Sequence, residues 1–166
     1  MLIFENGPGD YVAKVADFGF STHFGSEQDL IKMPESVPWN APERHHRHFL
    51  PQDAKAMDVY SFGMLCLWLL FGVESSKTTP STSDTANGSP VFHFKAEDWH
   101  EKDDLLLSWK NNRLIEWAIW LVAEDERFAT EMRDNLTQFF RSSLCFNPQR
   151  RITDWHRLLS YIAPAR

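Results

Sequence analysis

The stretch Met57–Gly72, MDVYSFGMLCLWLLFG, constrains the fold more than any other part of the chain. Asp58 is its only charged residue, and from Val59 to Phe71 apolar side chains fill nearly every position. So continuous a run does not suit a surface helix with a single apolar stripe, and it predicts a central helix buried on most faces. The run falls short of the about 20 apolar residues that cross a bilayer. Gly72 follows the last apolar residue and marks a helix stop.

Around such a pillar, 166 residues make one domain of ordinary size. With 43% apolar residues, seven Trp and 13 Phe, the chain has ample material for a core, which excludes wholesale disorder. A formal charge of -6 offers no basic footprint for nucleic acid or an anionic membrane. Cys66 and Cys145 both sit among apolar neighbours, which predicts reduced, buried thiols. The opening MLIFENGPGD lacks the basic flank and long apolar core of a signal peptide. A soluble protein of the cytoplasm or nucleus is therefore expected. In that setting the glycosylation patterns at Asn87-Gly88-Ser89 and Asn135-Leu136-Thr137 are chance matches.

Leu2-Ile3-Phe4, the turn formers from Glu5 to Asp10, and the β-branched and aromatic run Tyr11–Ala16 predict a hairpin with a loose turn. The second strand leads into Asp17-Phe18-Gly19. A carboxylate at a strand end followed by a flexible glycine suits a hard cation such as Mg²⁺. By itself the tripeptide also fits an ordinary turn. Further on come Trp39-Asn40-Ala41-Pro42-Glu43, then Asp58-Val59-Tyr60-Ser61-Phe62-Gly63 opening the pillar, then Asn147-Pro148-Gln149-Arg150-Arg151-Ile152-Thr153.

An Asp-Phe-Gly, an Ala-Pro-Glu, an Asp-led apolar helix and a late arginine, in this order, resemble the C-terminal lobe of eukaryotic protein kinases over about residues 1–162. The resemblance implies a mostly α fold: a short β-hairpin (1–16), an activation segment (17–43), a buried central helix region (44–73), a flexible insertion (74–104) and closing helices (105–163). It implies that Asp17, with Phe18 and Gly19, forms the cofactor-binding turn, Asp17 being the Mg²⁺ ligand beside ATP. Ser21, Thr22, Ser26 and Ser36 are then the hydroxyls of the activation loop, Ser36 standing where serine/threonine kinases carry threonine. Trp39 in this setting is closest to the tyrosine-kinase-like serine/threonine group. Glu43 resembles the partner of Arg151 in the ion pair that anchors the segment, with the adjacent Arg150 an alternative. Asp58 resembles the carboxylate that holds the catalytic loop; a plain charge at a helix N-terminus reads as well.

Phosphoryl transfer in this family also needs a glycine-rich phosphate loop, a strand Lys paired with a helix Glu, and a catalytic-loop Asp and Asn. None of these patterns occurs among the 166 residues. Two readings follow. In one, the chain is the lower half of a serine/threonine-type kinase, inactive alone, whose full domain phosphorylates protein hydroxyls with ATP. In the other, it is a non-catalytic, pseudokinase-like lobe that binds a protein partner. Under either, apolar surface that faces the rest of a kinase is exposed, which predicts marginal stability or aggregation.

Ser75–Pro90 is rich in Ser, Thr, Asp, Asn, Gly and Pro and reads as a solvated linker; Thr79-Pro80 and Ser89-Pro90 are also eligible for proline-directed phosphorylation. Val91-Phe92-His93-Phe94 and Trp99 are expected to pack its return. Leu114, Trp117, Ala118, Leu121 and Val122 fall on one helical face, as do Met132, Leu136, Phe139, Phe140 and Leu144, and then Trp155, Leu158, Leu159 and Ile162 behind a Thr153 cap. His45-His46-Arg47-His48 could hold Zn²⁺, but adjacent histidines diverge, and a solvated loop fits better.

Overall fold

The computed structural model describes residues 2–14, 19, 21–34, 36, 39–46, 48–71 and 113–163. The predicted linker, the return residues Val91–Phe94 and Trp99, and Asn87 lie outside them. In chain order the elements are β1 (Leu2–Gly7), β2 (Asp10–Lys14), a 3-10 turn (Pro42–His45), α1 (Pro51–Phe71), α2 (Arg113–Glu124), α3 (Thr130–Ser143), a second 3-10 turn (Pro148–Arg150) and α4 (Trp155–Leu159). The chain is mostly helical with an N-terminal hairpin, the class that the sequence predicts.

The hairpin turn is tighter than expected. Gly7 pairs with Asp10 across Pro8-Gly9. Pro8 presets the first turn position, and Gly9 supplies the positive φ of 79° that the second requires. A turn of this chemistry splays strands, and a register irregularity between Glu5 and Gly7 absorbs the mismatch.

Helix α1 begins six residues before the apolar run. Pro51 suits a first helical position and Asp53 suits the first turn. The polar composition of residues 52–55 hid this start. At 21 residues α1 is long enough to span a bilayer by length and composition, so its length does not exclude a span. Its packing is that of a core helix. Val59, Tyr60, Met64 and Leu67 are fully buried. Burial is nevertheless one-sided: Asp58 and Leu69 are exposed, and Phe62, Leu65 and Trp68 are only half-buried. The expectation of a helix buried on most faces is thus corrected.

Helix α3 is the element on which the others rest; α1, α2 and α4 all pack against it. Leu136, Phe139, Phe140 and Leu144 are buried as predicted, while Met132 reaches solvent. Leu114, Trp117, Ala118 and Val122 of α2 complete the core. Two expectations fail at α4. Its cap is Asp154, whose Oδ1 accepts from His156 N at 3.0 Å and Arg157 N at 3.3 Å. Only Leu158 is fully buried, with Trp155 and Leu159 more than a third exposed. The five-residue helix is too short to bury a whole stripe. Trp155 still meets Phe62 edge-on at 5.4 Å, and Phe62 meets Phe139 at 5.9 Å.

The α1–α3 crossing is set by Gly63. A Cβ there would stand 2.6 Å from Ser143 Oγ and 2.9 Å from Leu144 Cδ2. Ser143 is held in place by its own hydroxyl, which donates to Phe139 O at 2.8 Å. Gly63→Ala gains about 1 kcal/mol of helix propensity but forces the helices apart, an overpacking cost of about 1–3 kcal/mol. We expect a lower urea midpoint, partly restored by adding Ser143→Gly; a Gly63→Ala variant as stable as the parent would contradict this contact.

A second tie closes the bundle. Arg127 grips Asp125 with Nε at 3.0 Å and Nη2 at 2.6 Å, and Nη2 also donates to Leu70 O at 3.0 Å. One side chain thereby caps the end of α1 from the α2–α3 turn. The Arg127 hydrogen bond holds the Asp125 carboxyl below the usual carboxylate range.

Candidate functional site

Between Ile31 and Phe49 the described residues, 31–34, 36, 39–46 and 48–49, form a loop against α1. Its neck is a two-residue bridge in which Ile31 N donates to Phe49 O at 2.8 Å and Phe49 N to Ile31 O at 2.9 Å. Inside the loop, Asn40 Oδ1 accepts from Ser36 N at 2.8 Å, and Ser36 O accepts from Trp39 N at 2.8 Å. Ser61 Oγ, on α1, donates to Trp39 O at 2.9 Å, and the Trp39 ring meets Trp68 edge-on at 6.1 Å.

At the far side of the loop Pro42 opens a 3-10 turn that aims Glu43 under α1. There Arg151 meets it as a fork: Nη1 to Oε1 at 2.5 Å and Nη2 to Oε2 at 2.9 Å. Arg151 Nε donates to Cys145 O at 2.7 Å, Nη1 also to Ala56 O at 3.0 Å, and Nη2 also to Phe146 O at 3.1 Å. All five guanidinium N–H groups are therefore spent, the condition under which a buried charge is tolerable. The guanidinium carbon lies 4.7 Å from the centre of the buried Tyr60 ring. Burial pushes the Tyr60 phenol well above its ordinary pKa, so it stays protonated. Arg151, not Arg150, is the partner of Glu43.

Between this loop and α1 lies a pocket of about 360 Å³, lined by Met33, Ser36, Trp39, Asp58, Ser61 and Phe62 among others. Asp58 sits eight residues into α1, so it is not a helix-terminal charge; Asp53 has that place. The residue is exposed overall, yet its carboxyl is partly stripped of water by the pocket lining, which raises its pKa above the ordinary value. An acid whose folded pKa is raised destabilises the fold once ionised. That cost is absent below the unfolded pKa of about 4 and present in full above the folded pKa. Asp58→Asn is accordingly expected to raise the melting temperature at pH 7 and to leave it unchanged near pH 3. An equal or lower value at pH 7 would refute the desolvation.

The remaining site residues divide clearly. Ser21, Thr22, Ser26 and Ser36 are exposed. Ser26 belongs to a small turn in which Asp29 Oδ2 accepts from Gly25 N at 2.7 Å and Ser26 N at 2.9 Å. Lys55 on α1 ties this turn down through Glu27 at 3.1 Å and lies over Phe24 at 5.5 Å. Gly19 is exposed; Asp17 and Phe18 lie outside the described residues. Among the described residues no three His, Cys, Asp or Glu side chains come together to hold a metal. His46 and His48 are exposed, and His46 meets Phe49 edge-on at 6.3 Å. Cys66 and Cys145 are free thiols, half-buried where full burial was expected.

Ser61 was missed by sequence reasoning. Asp58, Ser61, Phe62 and Leu65 fall at i, i+3, i+4 and i+7, the spacing of one helical face, and all four line the pocket. All four already lie within the Met57–Gly72 run, and following the face that carries Asp58 would have singled them out.

These elements form a hairpin, a segment closed by an Ala-Pro-Glu, a central helix with a pocket-facing Asp and an Arg fork beneath it. The profile described as protein kinase domain matches residues 1–161. The chain belongs to the protein kinase family. No curated protein and no solved structure gives a significant match.

Proposed function

We propose that this chain is the substrate-facing half of a serine/threonine-type protein kinase domain, and that the complete domain transfers the γ-phosphate of ATP to a protein hydroxyl. The observation that carries the proposal is the buried Glu43–Arg151 fork, which fastens the loop containing Ser36 against α1. In this reading the 31–49 loop presents the substrate peptide, and Ser21, Thr22 and Ser26 precede it on the activation segment. Asp58 stands ready to accept hydrogen bonds from a catalytic-loop backbone docked in its pocket. The raised pKa fits a carboxylate kept for that task at a cost to stability.

ATP and Mg²⁺ are the implied cofactors, with Asp17 as proposed metal ligand and Phe18 and Gly19 beside it. The described residues supply no further metal set, so the chemistry is assigned to no group here. Positioning and charge stabilisation make up nearly all catalysis in this class. A polypeptide carrying one magnesium carboxylate without the strand Lys and catalytic-loop Asp and Asn is inactive by itself. A protein partner or substrate in the cytoplasm or nucleus fits the charge of -6 better than nucleic acid or a membrane surface.

Purified chain incubated with radiolabelled ATP and a generic protein substrate should transfer no phosphate. Transfer abolished by Asp17→Ala would overturn the inactivity while upholding the phosphotransferase. In-frame codons before Met1 encoding a His-x-Asp-x-Lys-x-x-Asn loop would support the kinase. A stop codon there, with a stoichiometric protein partner on pull-down, would favour a non-catalytic binding lobe.

A further inference from the structure

The hairpin carries more apolar surface than a two-stranded sheet can hide. Ile3 and Tyr11 are 63% and 64% exposed, Phe4 46% and Val12 38%. Among the described residues no third strand pairs with β1 or β2. Isolated two-stranded hairpins are marginal in water, and an open edge is a template for another strand.

The β2 sequence, Asp10-Tyr11-Val12-Ala13-Lys14, has a property that β1 lacks. Laid antiparallel on itself with Val12 at the centre, it places each Asp10 opposite the other strand's Lys14 and Val12 opposite Val12. Because side chains alternate, Asp10, Val12 and Lys14 share one face. Phe4 lies on that face too, being the register partner of Val12, with Lys14 Nζ 4.9 Å from its ring centre. Opposite charges across strands stabilise a pair and like charges oppose it. Strand β1 centred on Phe4 would instead set Glu5 against Ile3.

We propose that the open edge of β2 pairs antiparallel with β2 of a second copy of this chain. The product is a four-stranded sheet, β1-β2-β2-β1, about a two-fold axis at Val12. One face then carries a continuous row, Phe4-Val12-Val12-Phe4, closed at both sides by Asp10–Lys14 pairs. This is an isologous interface, self-complementary by symmetry. It goes beyond the kinase assignment.

Sedimentation of the full chain between roughly 5 and roughly 100 µM tests it. A dimer is expected, and nothing larger. Asp10→Lys and Lys14→Asp each turn both cross-strand pairs into like-charge pairs and should each weaken the dimer by on the order of tenfold. Mixing those two variants should restore the affinity as a heterodimer, since every pair is then opposite in charge, and the double swap should restore the homodimer. Circular dichroism of each variant checks that the fold is kept. A monomer at the highest concentration, open-ended aggregation, or association indifferent to the charge variants would overturn the proposal, and none of these bears on phosphate transfer.

Discussion

Arg151→Ala lowers the stability of the chain by about 3–5 kcal/mol, the cost of breaking a buried ion pair from one side. Solvent screening of the pair is weak, with the Arg151 side chain fully buried and Glu43 at 13% exposed. The substitution strands the Glu43 carboxylate and leaves the carbonyls of Ala56, Cys145 and Phe146 without this donor. A domain of this size has about 5–15 kcal/mol in total, so the variant can fall below the threshold for folding. Arg151→Lys keeps the charge but brings three donors to five acceptors and lacks the planar fork. It should retain the fold with a clearly lower urea midpoint. If Arg151→Ala and Arg151→Lys both melt within 1 kcal/mol of the parent, the fork contributes nothing net and the anchoring role fails.

Cys66 in the folded chain should react with iodoacetamide roughly fifty times more slowly at pH 8 than in the urea-unfolded chain. Burial pushes its thiol up to about 12, which reduces the thiolate fraction about a thousandfold against a free cysteine. The more basic thiolate is the better nucleophile, which returns a factor of about twenty to fifty. Mass spectrometry of peptides after timed labelling reads the difference directly. Equal rates in the two states would show that the helix α1 surface around Cys66 opens readily.

The helices of the C-terminal half were legible because apolar spacing and packing agree there; Leu136, Phe139, Phe140 and Leu144 are read and buried alike. The start of α1 was not, since residues 52–55 offer Ala54 as their one apolar residue and a helix can begin on polar residues when Pro51 and Asp53 suit its first turn. Trp155 and Leu159 mislead for the opposite reason: an apolar stripe says which face turns inward, not whether five residues suffice to cover it. Asp154 and Thr153 are both sound caps, and only geometry chooses. The Glu43–Arg151 pair came from a resemblance in motif order. Its distance of 108 positions along the chain is beyond any local pattern, and the three carbonyls that complete the Arg151 shell leave no trace in residue identity. Ser61 lies one turn on from Asp58 within the predicted run, but Met33, Ser36 and Trp39, which wall the pocket opposite them, come from a segment that no local pattern ties to α1.

The Ile31–Phe49 bridge has one more consequence. It fixes two points far apart in sequence to each other, and the Glu43–Arg151 fork and the Ser61–Trp39 bond fix described residues between them to the helical bundle. Among the described residues, the stretch just before it, 21–30, is tied down by a surface lysine and a local turn. Insertions, deletions or a bulky modification in that outer stretch leave the bridge and the fork where they are, whereas added length between Ile31 and Phe49 has to be taken up between points that the bridge and the fork hold fixed.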